Sequence, residues 1–227
     1  MKLLLAAATE AEIRPLKGLL AREGAELSPG VYGYRNHTVH LCITGVGIMA
    51  ATYALTKALA GERFDMALQA GVAGSFDRAL EPGQLVLVQS EQLGDLGAED
   101  GPGYLDAFEL ALLGEDDFPF SNGKLECPLH EIPFAYRLLT VSGLTVSTVS
   151  GYEPTILMRS NRFNCQVESM EGAAFHYVCL RERIPFAQVR AVSNYVERRN
   201  RGQWKLKEAV EALNKWLAGL LDGDMIL

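Results

Sequence analysis

Several features that would fix the chemistry at once are missing from this sequence. The 227 residues include only four cysteines, Cys42, Cys127, Cys165 and Cys179. No two stand in a CxxC spacing, so no metal knuckle or redox pair is offered, and two lie in apolar runs where cysteine behaves as a small hydrophobe. No segment approaches the roughly 18 consecutive apolar residues of a membrane helix. A basic stripe for nucleic acid is absent too: 21 Lys and Arg face 28 Asp and Glu, a net charge of -7. The one basic cluster, Arg198, Arg199 and Arg201, reads as solvated surface. No repeat or low-complexity linker divides the chain. The opening residues, Met1 to Ala8, have the apolarity of a secretory leader, but Glu10 and Glu12 follow at once and a buried first strand accounts for them better. A reduced, soluble, cytoplasmic protein is expected, with no membrane or nucleic-acid partner.

What is present is a large apolar fraction, 48%, enough for one sizeable core. Short apolar runs alternate with helical patterns. Strands are predicted over 2–8, 39–44, 66–70, 84–90, 143–149, 165–168 and 186–192. Helices are predicted over 10–22, 48–60, 154–162, 170–183 and 204–221, the last with a stripe of apolar residues at 206, 209, 210, 213, 216, 217, 220 and 221. The alternation predicts an α/β fold: three layers, αβα, around a mixed, mostly parallel twisted sheet. A single domain over 1–227 is expected, with a long loop insertion near 94–133. That stretch is rich in Gly, Pro and acidic residues and carries Tyr104, Phe108, Phe118 and Phe120. A connection of this length is a functional loop, a partner contact or a surface insertion.

Four places can carry chemistry. Glu171 sits at a strand-to-helix switch, where a carboxylate can accept hydrogen bonds from two vicinal hydroxyls and favour a developing cation. It is equally an acid in a first helical turn, favoured by the helix dipole, and Glu168 is its rival. Glu12 follows Thr9 as Thr-x-x-Glu beside the carboxyl end of the first strand; it is a candidate general base, and also one half of a capping box. Gly45-Val46-Gly47 and Gly71-Val72-Ala73-Gly74 each follow a strand, as turns that approach a ligand or as tight connections. The run Gly45 to Ala50 partly matches a dinucleotide fingerprint, but the acidic residue about twenty positions on is absent. Asn194 ends the last strand. Its planar amide can donate to purine O6 and engage N7, which suits hypoxanthine or guanine, or it simply closes a strand in a turn.

The segment Glu168-Ser169-Met170-Glu171-Gly172-Ala173-Ala174 and, about twenty residues on, Val189-Arg190-Ala191-Val192-Ser193-Asn194 resemble the purine nucleoside phosphorylase and nucleosidase superfamily. The resemblance runs from Thr9-Glu10-Ala11-Glu12 to Asn194 and is weakest between 94 and 140. In the methylthioadenosine and adenosylhomocysteine nucleosidases of that superfamily the second motif ends in Asp, the acid that protonates adenine. With Asn194 in that place, the two motifs are similar instead to the futalosine hydrolase family of menaquinone biosynthesis, which releases hypoxanthine from an inosine-like nucleoside bearing a substituted benzoate. The resemblance implies that Glu12 activates water with Arg190 helping to hold it. It implies that Met170 and Glu171 bind ribose, that Asn194 binds the base, and that Ala73 and Gly74 line the purine pocket. It implies no cofactor and no metal, and a homodimer or higher homo-oligomer whose sites borrow from the partner, with the 94–133 aromatics covering the benzoate. Arg198, Arg199 or Arg201 would meet the substrate carboxylate through a bidentate fork.

Three other readings compete. A phosphorolytic enzyme would need arginines at the early turn, where Glu10 and Glu12 would repel phosphate and Arg14 is expected on the helix surface. A nucleosidase for a 6-amino base, acting on aminofutalosine or on methylthioadenosine and adenosylhomocysteine, differs only in what Asn194 faces. A non-catalytic nucleoside-binding module would show no base release at all.

Overall fold

The computed structural model describes residues 1–101 and 103–223. Position 102, inside the 94–133 stretch, and the last four positions of the chain lie outside the described residues. Strand β1 (Lys2–Ala7) leads to helix α1 (Glu10–Glu23), the hairpin of β2 (Ala25–Ser28) and β3 (Val31–Tyr34), then β4 (His37–Ile43), α2 (Ile48–Gly61), β5 (Met66–Ser75) and β6 (Leu85–Leu93). The second half holds β7 (Gly97–Asp100), β8 (Gly103–Asp106), β9 (Leu125–Glu126), β10 (Leu139–Thr145), α3 (Glu153–Phe163), β11 (Val167–Ser169), α4 (Gly172–Glu182), β12 (Phe186–Tyr195) and α5 (Leu206–Asp222).

One ten-stranded mixed sheet runs in the order β11-β10-β6-β12-β5-β1-β4-β3-β2, with β9 attached to β6. Its centre is parallel: β12 lies beside β5 and β5 beside β1, all buried. Such strands read as continuous apolar runs because helices cover both faces. Helices α1 and α5 pack together on one side and α2 and α4 on the other, giving the three expected layers. Leu3, Leu5, Leu68, Phe175, Phe186 and Val189 anchor the core between them. No described helix is long and apolar enough to cross a membrane.

Several boundaries depart from the sequence patterning, each for a structural reason. Residues 71–74 continue β5 rather than turning, because β12 pairs with them as far as Tyr195↔Ser75 and β11 joins antiparallel at Gly74 and Ser75. The same pairing carries β12 beyond 192, with an irregularity between Val192 and Asn194. β10 begins at Leu139, paired with Val86, and ends at Thr145; residues 146–149 leave the sheet. Helix α4 starts at Gly172 rather than 170. The β2–β3 hairpin was not predicted; Gly30 turns it at φ 78°. Within 94–133, Phe108 packs on Phe120, Phe120 on Tyr177 of α4, and Tyr104 on Phe163. Three of its four aromatics are therefore spent on their own chain, and Phe118 stays exposed.

Candidate active site

The catalytic candidates meet at the carboxyl ends of β1, β5 and β12, where open α/β sheets gather ligands. Glu12, on the first turn of α1, is buried. Its Oε2 accepts from the Thr9 backbone N–H at 2.9 Å and the Thr9 hydroxyl at 3.1 Å, and its Oε1 from the Val72 N–H at 3.2 Å. The capping box is formed, and it holds the carboxylate with its other oxygen over β5.

Arg190 reaches the same spot from β12. A Cβ on Gly71 would collide with both the Arg190 guanidinium and the Glu12 carboxylate. The glycine leaves room for the two groups to converge, and that close approach, not a turn, is what the Gly71–Gly74 run provides. Arg190 is only 1% exposed. A buried cation needs opposite charge; Glu171 Oε2 lies 3.9 Å from Nη1, and the Val72 carbonyl accepts from Nη1 at 3.5 Å. Among the described residues its Nε and Nη2 have no partner.

Glu171 is the N-cap residue of α4, yet its side chain makes no capping bond. The carboxylate instead accepts from the Gly47 N–H at 2.9 Å. Gly47 lies in the turn after β4 at φ 89°, and Gly45 at φ 81°, so this glycine pair does form the expected turn, and it grips Glu171. The rival Glu168 is occupied elsewhere. It accepts from the Ser150 N–H at 2.8 Å and the Ser150 hydroxyl at 2.5 Å, and pairs with Arg159 at 3.3 Å.

Two cavities flank this cluster. One, of about 100 Å³, is lined by Gly74, Asn194, Val149, Ser150, Arg199 and Trp204 among others. In it, Asn194 Oδ1 accepts from the Ser193 hydroxyl at 2.8 Å, and Nδ2 donates to the Tyr195 carbonyl at 2.9 Å. Ala73 is buried beside them and its carbonyl lies 3.2 Å from Ser193 Oγ. The other cavity, of about 830 Å³, is apolar and open, lined by Val46, Ile48, Met49, Tyr53, Ser147 and Met170 among others. Met170 thus stands between Glu171 and the α2 side. Of the three arginines assigned to the substrate carboxylate, Arg199 lines the cavity of Asn194, not that of Met170.

A buried network behind the site escaped the sequence reading. Glu91 on β6 is 1% exposed; it accepts from Gln188 Nε2 at 2.8 Å and from the Thr145 hydroxyl at 2.8 Å, while Thr145 Oγ1 accepts from the Ala173 N–H of α4 at 2.7 Å. Burial pushes the Glu91 carboxyl up to about 7. Its partners are 54 and 97 positions away, and no local pattern marks it, since it stands among Gln89, Ser90 and Gln92 at the polar end of β6.

Residues 5–221 match the family model of the phosphorylase superfamily. The chain belongs to this superfamily. It is 34% identical over 182 residues to a futalosine hydrolase of Thermus thermophilus, a match covering 78% of this chain and 79% of that protein. A solved futalosine hydrolase mutant of Helicobacter pylori superposes with a TM-score of 0.79 at 19% identity, covering 98% of this chain and 99% of that one. An s-adenosylhomocysteine nucleosidase of Streptococcus pyogenes, solved with 5-methylthiotubericidin, also reaches 0.79 at 19% identity, covering 98% and 97%. The superfamily fold is therefore shared between these two enzyme types, and the side chains must tell them apart.

Proposed function

We propose that this superfamily member is an N-glycosyl hydrolase, a futalosine hydrolase that releases hypoxanthine from futalosine. The observation that carries hydrolysis is the meeting of the Glu12 carboxylate and the buried Arg190 guanidinium over Gly71. Glu12 takes a proton from water as that water attacks C1′ of the ribose. The unpaired Nε and Nη2 of Arg190 are donors that hold it there. Glu171, fixed by Gly47, accepts from the ribose hydroxyls and stabilises the positive charge that grows on the sugar. Met170 packs under the ribose, and Asn194 meets the purine between Ala73 and Gly74. The choice of futalosine rests on the likeness to the Thermus thermophilus protein, with Asn194 as a donor to the base.

Water rather than phosphate is the acceptor, because the acidic turn at Glu10 and Glu12 repels an anion and Arg14 is exposed on α1. The proposed reaction uses no cofactor and no metal. The chain acts as a single cytoplasmic domain over 1–227, carrying the 94–133 insertion, and serves menaquinone biosynthesis. It assembles as a homodimer, with the exposed face of α2 against its partner.

Detection of free hypoxanthine from futalosine, with and without phosphate, tests the reading. Release independent of phosphate is expected, and strict dependence on phosphate would overturn it. A panel of futalosine, aminofutalosine, methylthioadenosine and inosine tests the substrate, with futalosine expected first.

A further inference from the structure

We infer that Arg199 completes the purine site: its guanidinium donates to the O6/N7 edge of a 6-oxopurine and balances the negative charge of the base as it departs. This rests on the hydrolytic reading above and assigns Arg199 to the base rather than to the substrate carboxylate.

The first observation is position. Arg199 lines the cavity of about 100 Å³ that holds Asn194 and Gly74. Its guanidinium carbon sits 5.3 Å from the ring centre of Trp204, which lines the same cavity. A guanidinium stacked on an indole face keeps its charge and loses part of its freedom. The two carboxylates in the cavity wall are matched elsewhere, Glu168 with Arg159 at 3.3 Å and Glu197 with Arg78 at 2.6 Å. Arg199 is exposed at the cavity mouth, and among the described residues no ion pair to it is formed, so neither wall carboxylate neutralises its charge.

The second observation is what Asn194 has left to give. Its Oδ1 is taken by the Ser193 hydroxyl, and one Nδ2 hydrogen by the Tyr195 carbonyl. One N–H remains. A 6-oxopurine nucleoside presents two acceptors on that edge, O6 and N7, so a single N–H leaves one of them unmet. An amide is moreover the natural partner of a 6-amino purine, accepting from N6 and donating to N7, whereas O6 with N7 is the edge read by a guanidinium fork. Asn194 alone therefore does not select the oxo base; Asn194 with a donor-only neighbour does.

The same placement answers how the base leaves without a side-chain acid. The C1′–N9 bond breaks and its electron pair goes to N9, spreading through the rings towards N7 and O6. Water oxygen bonds to C1′ and gives its proton to Glu12. The purine takes a proton from solvent, and Glu12 later returns one, so water is added across the bond overall. An amide has no proton to give at N7, while a fixed cation stabilises the purine anion until the solvent proton arrives.

Arg199→Gln and Arg199→Lys are to be assayed on futalosine, on its 6-amino counterpart and on the futalosine methyl ester, with hypoxanthine and adenine binding followed by calorimetry. Wild-type release of hypoxanthine reports on the hydrolytic reading by itself; base binding reports on Arg199 even if that reading fails. The Gln variant is expected to lose about 100-fold in kcat on futalosine and its ester alike. It is expected to lose about tenfold less on the 6-amino substrate, whose edge offers the fork N7 but no O6, and to lose hypoxanthine affinity about tenfold more than adenine affinity. Lys should recover part of kcat, because charge survives without the fork. The inference is overturned if the loss is confined to the free acid, which would return Arg199 to the carboxylate, if both bases suffer equally, or if hypoxanthine binding is unmoved.

Discussion

Glu12 divides its two oxygens between two settings, one capping α1 and one lying beside Arg190 over Gly71. Glu12→Gln keeps a capping-competent amide, so it is expected to cost about 1 kcal/mol of stability while kcat falls about 10³-fold. Steady-state assays with denaturant titration check this, and a folded variant keeping a tenth of the activity would remove Glu12 as the base. Glu91 makes the opposite case, a buried acid with a proton to account for. Burial holds its carboxyl near 7 although Gln188 and Thr145 pull it down. Between 4.5 and about 7 the native state keeps a proton that the unfolded chain has released, so this contribution is full at acid pH and is lost as pH rises through 7. Burial lowers His176 from 6.5 to about 4, and its contribution is instead lost as pH falls through that interval. The two slopes oppose each other, and Glu91→Gln uncovers that of His176. The stability of wild type relative to the variant should fall by about 3 kcal/mol between pH 4.5 and pH 8; denaturant midpoints at both pH values measure it, and a constant difference would mean that Glu91 keeps no such proton. Glu12, Glu171 and Asn194 could be singled out in the sequence because each ends or begins an element beside a local motif. Glu91 could not, because everything that makes it unusual comes from distant strands.

At the level of elements, the start of α4 is where the hidden network and the candidate site join. Glu171 stands at the N-cap position without capping the helix through its side chain, Gly172 follows, and Ala173 donates its N–H to Thr145 Oγ1, which in turn donates to Glu91. A Cβ at Gly172 would run into the Glu91 carboxylate and the Gln188 amide. Both belong to the buried network and have little room to yield, so Gly172→Ala is expected to destabilise by about 3 kcal/mol and to shift Glu171 off the Gly47 N–H. Removing the obstacle in Glu91→Ala should make the double variant more stable than the two single costs imply, by about 1 kcal/mol or more. Thermal or denaturant unfolding of the four proteins closes the cycle, and strict additivity would sever Gly172 from Glu91. The small residues after Glu171 were visible in the sequence, but their reason was not: the steric demand comes from β6, packed against α4 but distant from it in sequence. The same holds for β5, where a glycine run read locally as a turn is held extended by ladders from β12 and β11.

For the whole molecule, the three layers were readable because parallel strands buried on both faces leave apolar runs that no surface loop would carry. The closing of β11 against β5 was not readable, since two residue pairs, Val167↔Ser75 and Glu168↔Gly74, leave no periodicity behind. Helix α2 raises the remaining molecular question. Its fourteen residues include a single charge, Lys57, while Met49 is 86% exposed, Tyr53 one turn on 70%, and Val46 just before the helix 57%. A helix so apolar is stable when covered on more than one side, and a contiguous exposed apolar face marks a contact surface. These residues also rim the cavity of about 830 Å³ that reaches Met170, so a second copy seated here would wall the 5′ side of the nucleoside site. Met49→Lys puts a charge in the middle of that contact. It is expected to convert a sedimenting dimer to monomer at micromolar concentration and to raise KM for futalosine about tenfold, with kcat less affected because Glu12, Arg190 and Glu171 all lie within one chain. Sedimentation velocity with steady-state kinetics decides it: a wild type that is monomeric at every concentration, or a variant that stays dimeric, would leave the α2 face without the role given to it.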